Sequence, residues 1–111
     1  MKSKNYYVRL LNFMRVSNTT DAGFEGCEEV MAYMHEASAS GMSVKITDLV
    51  QSLQFGTGPT VHRKVVELQE RGLIEVARSA TDGRAKTLVL SEAGVKHLEQ
   101  RSKSLKAVLQ G

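Results

Sequence analysis

Residues 57–94 read TGPTVHRKVVELQERGLIEVARSATDGRAKTLVLSEAG, and this run alone lays out a helix, a hairpin and the start of another helix. Pro59 has a fixed φ and no N–H to satisfy, which suits a first helical turn. A helix is therefore predicted over 59–71, with Val61, Val65 and Leu68 facing inward. Gly72 follows where a left-handed C-terminal cap is wanted. Residues 73–78 (LIEVAR) and 86–90 (KTLVL) alternate apolar and polar side chains around the turn signal Ala80-Thr81-Asp82-Gly83. This pattern predicts a β-hairpin with a polar, basic tip. Ser91 then opens a last helix whose apolar stripe is Val95, Leu98, Leu105, Val108 and Leu109, with Lys96, Arg101, Lys103 and Lys106 mostly off it.

Upstream, Gln54-Phe55-Gly56-Thr57-Gly58-Pro59 reads as a tight turn leading into the helix. Before it, Thr47 looks like the cap of a brief helix carrying Leu49, Val50 and Leu53, and residues 42–44 read as a short strand. A longer helix, ending over 38–41, puts Cys27, Val30, Met31 and Met34 on one face and Glu25, Glu28, Glu29 and Glu36 mostly on the other. Residues 17–23 (SNTTDAG) form a connector. Tyr6, Tyr7, Leu10, Leu11 and Met14, at spacings of three and four, mark a first helix.

A brief helix, a turn, a second helix and a two-stranded hairpin, in that order, are the plan of a winged helix-turn-helix. The expected fold class is mainly α with a small β-hairpin (α+β), with flanking N- and C-terminal helices on a single domain of 1–111. Within it, 1–41 and 95–111 are expected to supply dimerisation helices and 42–94 the winged unit. The major groove is wide enough for an α-helix, whereas only a thin loop or an extended side chain fits the minor groove. Helix 59–71 is accordingly expected in the major groove, and the wing over 78–86 at the minor groove or phosphates.

The same residues resemble the winged-helix transcription regulators of the multiple-antibiotic-resistance-regulator (MarR) type. The resemblance is carried by Thr57, Thr60-Val61-His62-Arg63, Leu68, Gly72-Leu73-Ile74, Asp82-Gly83-Arg84 and Leu90-Ser91-Glu92-Ala93-Gly94. It covers about a third of the chain closely, and about half counting the brief helix before the turn. Members of the family usually have two long helices after the wing, where this chain has room for one. They also usually carry an apolar residue where Lys64 stands. The resemblance implies a dimeric DNA-binding regulator of transcription, here expected to act as a repressor.

Composition bounds the alternatives. With 111 residues, 41% hydrophobic, 24% charged and one proline, the chain is a single globular domain and not a multidomain enzyme. Residues 1–41 carry four basic and five acidic side chains, net −1, while 42–111 carry eleven and seven, net +4. The positive field thus belongs to the part that would meet a polyanion. No Cys/His/Asp/Glu cluster has metal-ligand spacing and no phosphate loop follows a strand, so no enzyme activity, metal or cofactor is expected. A single cysteine, no signal-peptide pattern and no apolar run long enough to span a bilayer give a soluble, cytoplasmic expectation with no membrane partner. Cys27 lies on an apolar helix face beside acids, which favours a buried structural thiol over a redox sensor.

The candidate DNA-binding residues are Thr57, Thr60, His62, Arg63, Lys64, Arg78, Arg84 and Lys86. Thr57 caps the helix and can meet a phosphate. Arg63 is the candidate base reader, since its fork bonds two acceptors on guanine, and its rival role is an ion pair with Glu67 four residues on. Lys64 is read as a phosphate contact. Arg84 is expected in the minor groove, with Arg78 and Lys86 at phosphates. Five of the six aromatics (Tyr6, Tyr7, Phe13, Phe24, Tyr33) precede residue 42, which suggests a homodimer built from the two ends; the alternative is that both ends fold back on one monomer. The partner is then double-stranded DNA, and a small-molecule effector is left unidentified. The competing function is a winged-helix adaptor for protein–protein contacts in a larger assembly.

Overall fold

The computed structural model describes residues 4–17, 22–78 and 86–110. The order is α1 (Tyr6–Ser17), a 3-10 turn (Ala22–Phe24), α2 (Cys27–Ala39), α3 (Ile46–Gln51), α4 (Gly58–Glu70), β1 (Ile74–Arg78), β2 (Lys86–Leu90) and α5 (Glu92–Gln110). The two strands pair antiparallel, with Ile74 opposite Leu90 and Arg78 opposite Lys86. The fold is mainly α with one hairpin, as expected. The turn over 80–83, with Asp82 and Arg84, and most of the connector before the 3-10 turn lie outside the described residues.

One core holds the winged unit together. Val30, Met31 and Cys27 of α2, Leu49 of α3 and Val61, Val65 and Leu68 of α4 are fully buried, and Met34, Val44, Phe55, Ile74 and Leu88 join them. Each such aliphatic side chain contributes about 1.5–3 kcal/mol by leaving water. The end of α4 is fixed by its backbone. Gly72 takes φ +72, its N–H donates to the Gln69 carbonyl (3.0 Å), and the Leu73 N–H donates to the Leu68 carbonyl (3.0 Å). These two bonds make a Schellman stop that hands the chain directly to β1. Ser91 then caps α5: its hydroxyl donates to the Gly72 carbonyl (2.6 Å) and accepts the Gly94 N–H (3.0 Å). Gly94 has to be glycine, because a Cβ there would collide with the Leu73 carbonyl.

Several boundaries and assignments differ from expectation. The cap of α3 is Lys45, not Thr47, because the Asp48 carboxylate accepts the Lys45 N–H (2.8 Å) from the third helical position. The strand predicted over 42–44 is reduced to one bridge, in which the Leu88 N–H donates to the Val44 carbonyl (2.7 Å). Val95 is exposed, since the buried face of α5 turns on Gly94. Leu53 is not on α3. It follows the helix with φ +59, the one positive-φ residue other than glycine among the described residues, and is 86% exposed. A left-handed conformation costs a side-chain-bearing residue about 1–2 kcal/mol.

The two chain ends pack on each other. The Arg9 guanidinium donates to the Leu109 carbonyl (2.7 Å), and Arg101 of α5 lies 4.7 Å over the Phe13 ring of α1. Leu105, Val108 and Leu109 of α5 are half-buried, while Tyr7, Leu11 and Met14 of α1 stay exposed at helical spacing.

Candidate nucleic-acid interface

The angle of α4 is set by what its inner face meets. Val61, Val65 and Leu68 point into the core, which leaves Pro59, His62, Arg63 and Val66 on one outward stripe. From Leu49 to Val66 there is no Asp or Glu. Among the described residues, neither His62 nor Arg63 has an ion-pair or hydrogen-bond partner. The rival pairing of Arg63 with Glu67 is not formed, since Glu67 faces Arg71 at 3.6 Å. The first half of α4 therefore presents uncompensated donors to solvent, and the helix dipole adds positive character at that end.

Thr57 is the N-cap residue in position (φ −72, ψ 168), but its hydroxyl meets the Thr60 hydroxyl at 3.1 Å instead of a backbone N–H of the helix. The two hydroxyls sit together at the helix entrance and keep bonding capacity for a phosphate oxygen. Lys64 occupies a different place from the one expected. It is half-buried, its ammonium donates to the Phe55 carbonyl (3.0 Å), and its end fills the space beside Gly26 where a side chain would otherwise stand. With Tyr33 edge-on to Phe55 (5.6 Å), this bond clamps the turn before α4 onto α2. Val66, not among the residues singled out above, is an exposed apolar group in line with His62 and Arg63. Its place on the outer stripe was available from the three- and four-residue spacing.

On the hairpin, Arg78 and Lys86 are directly paired in register. Lys86 is exposed; the Arg78 side chain and all of Arg84 lie outside the described residues.

A second cluster went unrecognised in the sequence because its members lie 69 and 73 positions apart. Glu28 of α2 receives His97 Nε2 at 2.7 Å and Arg101 Nε at 3.0 Å, both from α5. The Phe24 ring stands edge-on to His97 (5.6 Å) and carries the Arg71 guanidinium 4.6 Å over its face. These groups join the chain ends to the winged unit and consume their own charges. Cys27, 1% exposed, directs its thiol to the Lys64 carbonyl (3.8 Å). Burial foremost, and then Glu67, pushes the thiol up from its ordinary value of 9.0 against opposing pulls from Lys64, Arg71 and Arg63. Among the described residues no group of His, Cys, Asp and Glu is arranged to hold a metal, and no helix is long and apolar enough to cross a membrane.

The chain is similar in structure to S. aureus MepR. The ethidium bromide-bound form aligns with a TM-score of 0.72 at 21% identity, over 94% of this chain and 71% of that one. A MepR point mutant bound to an oligodeoxyribonucleotide gives 0.68 at 22% identity over 99% and 81%. The MepR–DNA complex gives 0.60 at 26% identity over 78% and 61%. The shared architecture is the winged helix-turn-helix expected from residues 57–94. No family model and no curated protein matches the chain.

Proposed function

We propose that this chain is a sequence-specific DNA-binding regulator of transcription of the MarR type, acting as a repressor and as a homodimer. The observation that carries the reading is the outward stripe of α4. Over the first half of the helix, up to Val66, it has no acid, it bears the unpartnered His62 and Arg63, and it stands on a fold shared with a protein solved in complex with DNA. In this reading Arg63 reads a base edge, with His62 and Val66 beside it, and Thr57 and Thr60 hold a phosphate at the helix entrance. Arg78, Arg84 and Lys86 of the wing meet the backbone and minor groove. Lys64 braces the turn from behind.

The dimer rests on α1, where Tyr6 and Tyr7 are 65% and 67% exposed and continue into Leu11 and Met14. A second copy covering that stripe would place two α4 helices for half-sites about one helical turn apart. Repression would then follow from occupancy of a promoter site.

The test is selection of duplexes by the full chain, followed by titration of the winner at several salt concentrations. Each neutralised phosphate contributes about −0.9 to the slope of log K against log salt, so a steep negative slope and a palindromic site are expected. Sedimentation should give twice the 12.2 kDa of one chain. Failure to bind any duplex would overturn the regulator, and a monomer at micromolar concentration would overturn the dimer.

A further inference from the structure

Leu53 sits in the turn between α3 and α4 with a left-handed backbone, and its side chain is 86% exposed. It therefore contributes almost nothing to the core while occupying a conformation that glycine would adopt freely. The turn is closed by its own hydrogen bonds. The Leu53 N–H donates to the Val50 carbonyl (3.2 Å), and the Ser52 hydroxyl donates to the Leu49 carbonyl (2.7 Å) while accepting the Gln54 N–H (3.4 Å). Leu53 thus projects into solvent four residues before the N-cap of α4.

Its neighbours define what it can meet. Gln51, Gln54 and Thr57 are exposed and uncharged, Phe55 is buried, and no acid occurs between Leu49 and Val66. Flanked in sequence by exposed glutamines, a single leucine side chain offers a small apolar contact with no acid nearby in the sequence to repel a phosphate. It matches the deoxyribose of a DNA backbone, whose carbons lie between phosphates that polar and basic groups engage.

We infer that Leu53 is a DNA contact, packing its isobutyl group on a deoxyribose of the strand beside which α4 enters the groove. The inference rests on the DNA-binding reading of α4 and adds an apolar, sequence-independent component of affinity to it.

The test uses the full-length wild type, Leu53→Gly and Leu53→Met on the duplex selected by the wild type and on an unrelated duplex, with thermal melts alongside. Leu53→Gly is expected to melt no lower than the wild type and to bind both duplexes about fivefold more weakly, with the salt slope unchanged, because an apolar contact releases no counterion. Leu53→Met, which keeps an apolar side chain of similar reach, is expected within twofold of the wild type. Unchanged affinity of Leu53→Gly, a loss confined to the selected duplex, or a changed salt slope would each overturn the contact. A wild type that binds neither duplex fails the DNA reading itself, an outcome distinct from a wild type that binds and a Leu53→Gly variant that binds equally.

Discussion

Two basic regions of the molecule treat their charges in opposite ways. At the junction of the chain ends with the winged unit, Arg71, His97 and Arg101 each have a carboxylate, and Phe24 and Phe13 lie beneath the two guanidinium groups. On the first half of α4, Arg63 and His62 stand in solvent, with no acid from Leu49 to Val66. A charge already neutralised within the monomer stabilises the fold and has little left for a ligand. A charge kept open in solvent remains available to a ligand, and in the proposed reading that ligand is DNA. The net +4 of residues 42–111 hides this division, since it counts both kinds alike.

Reversing the open charge should have the largest effect. Arg63→Glu is expected to weaken binding of the selected duplex by a hundredfold or more, about 3 kcal/mol, with the melting temperature unmoved; fluorescence anisotropy and a thermal melt on the same sample check both halves. The complementary change at the junction should act the other way round. Glu28→Ala strips His97 and Arg101 of their shared acceptor. Those groups are about a third exposed, so the loss should be about 1–2 kcal/mol, or several degrees in melting temperature. DNA affinity at a temperature well below the melt should stay within about twofold, and a tenfold fall would erase the contrast.

Lys64 lies on the same helix as Arg63 and yet, like the junction residues, spends its charge within the monomer. Lys64→Met should cost roughly 1 kcal/mol of stability by freeing the Phe55 carbonyl, and should leave the salt slope of binding unchanged. A slope reduced by about one would return Lys64 to the phosphates. The smallest effect concerns Cys27. Its raised thiol value means that the unfolded chain ionises first as the pH climbs, so its contribution is complete below about pH 9 and is lost above it. Melts taken from pH 8 to 10.5 should fall more steeply for the wild type than for Cys27→Ala. The native thiol should also react with a thiol reagent more slowly than the unfolded chain.

What the sequence disclosed was mostly local. The spacing of Val61, Val65 and Leu68, the glycine at 72, the serine at 91 and the alternation around the hairpin each depend on neighbours a few residues away, and each stands where it was expected. Leu53 was misplaced for the same local reason. It continues the helical spacing of Leu49 and Val50, and nothing in its own identity announces a left-handed turn. Thr47 drew attention as a hydroxyl, whereas the cap is made by a carboxylate reaching back to Lys45. On α4, the outward placement of His62 and Arg63 was legible because helix geometry sorts inward from outward residues. Lys64 and the Glu28–His97–Arg101 cluster were not, since their partners come from elements brought together only by the tertiary fold.

In the proposed reading, the open charge of α4 reads sequence. Its most direct test is a base-by-base comparison of wild type and Arg63→Ala over every single substitution of the selected duplex. The variant is expected to lose about 1–3 kcal/mol on the selected site and to become indifferent to one base pair in each half-site, with the other positions unaffected. An Arg63→Ala variant that keeps both the affinity and the full preference of the wild type would contradict it.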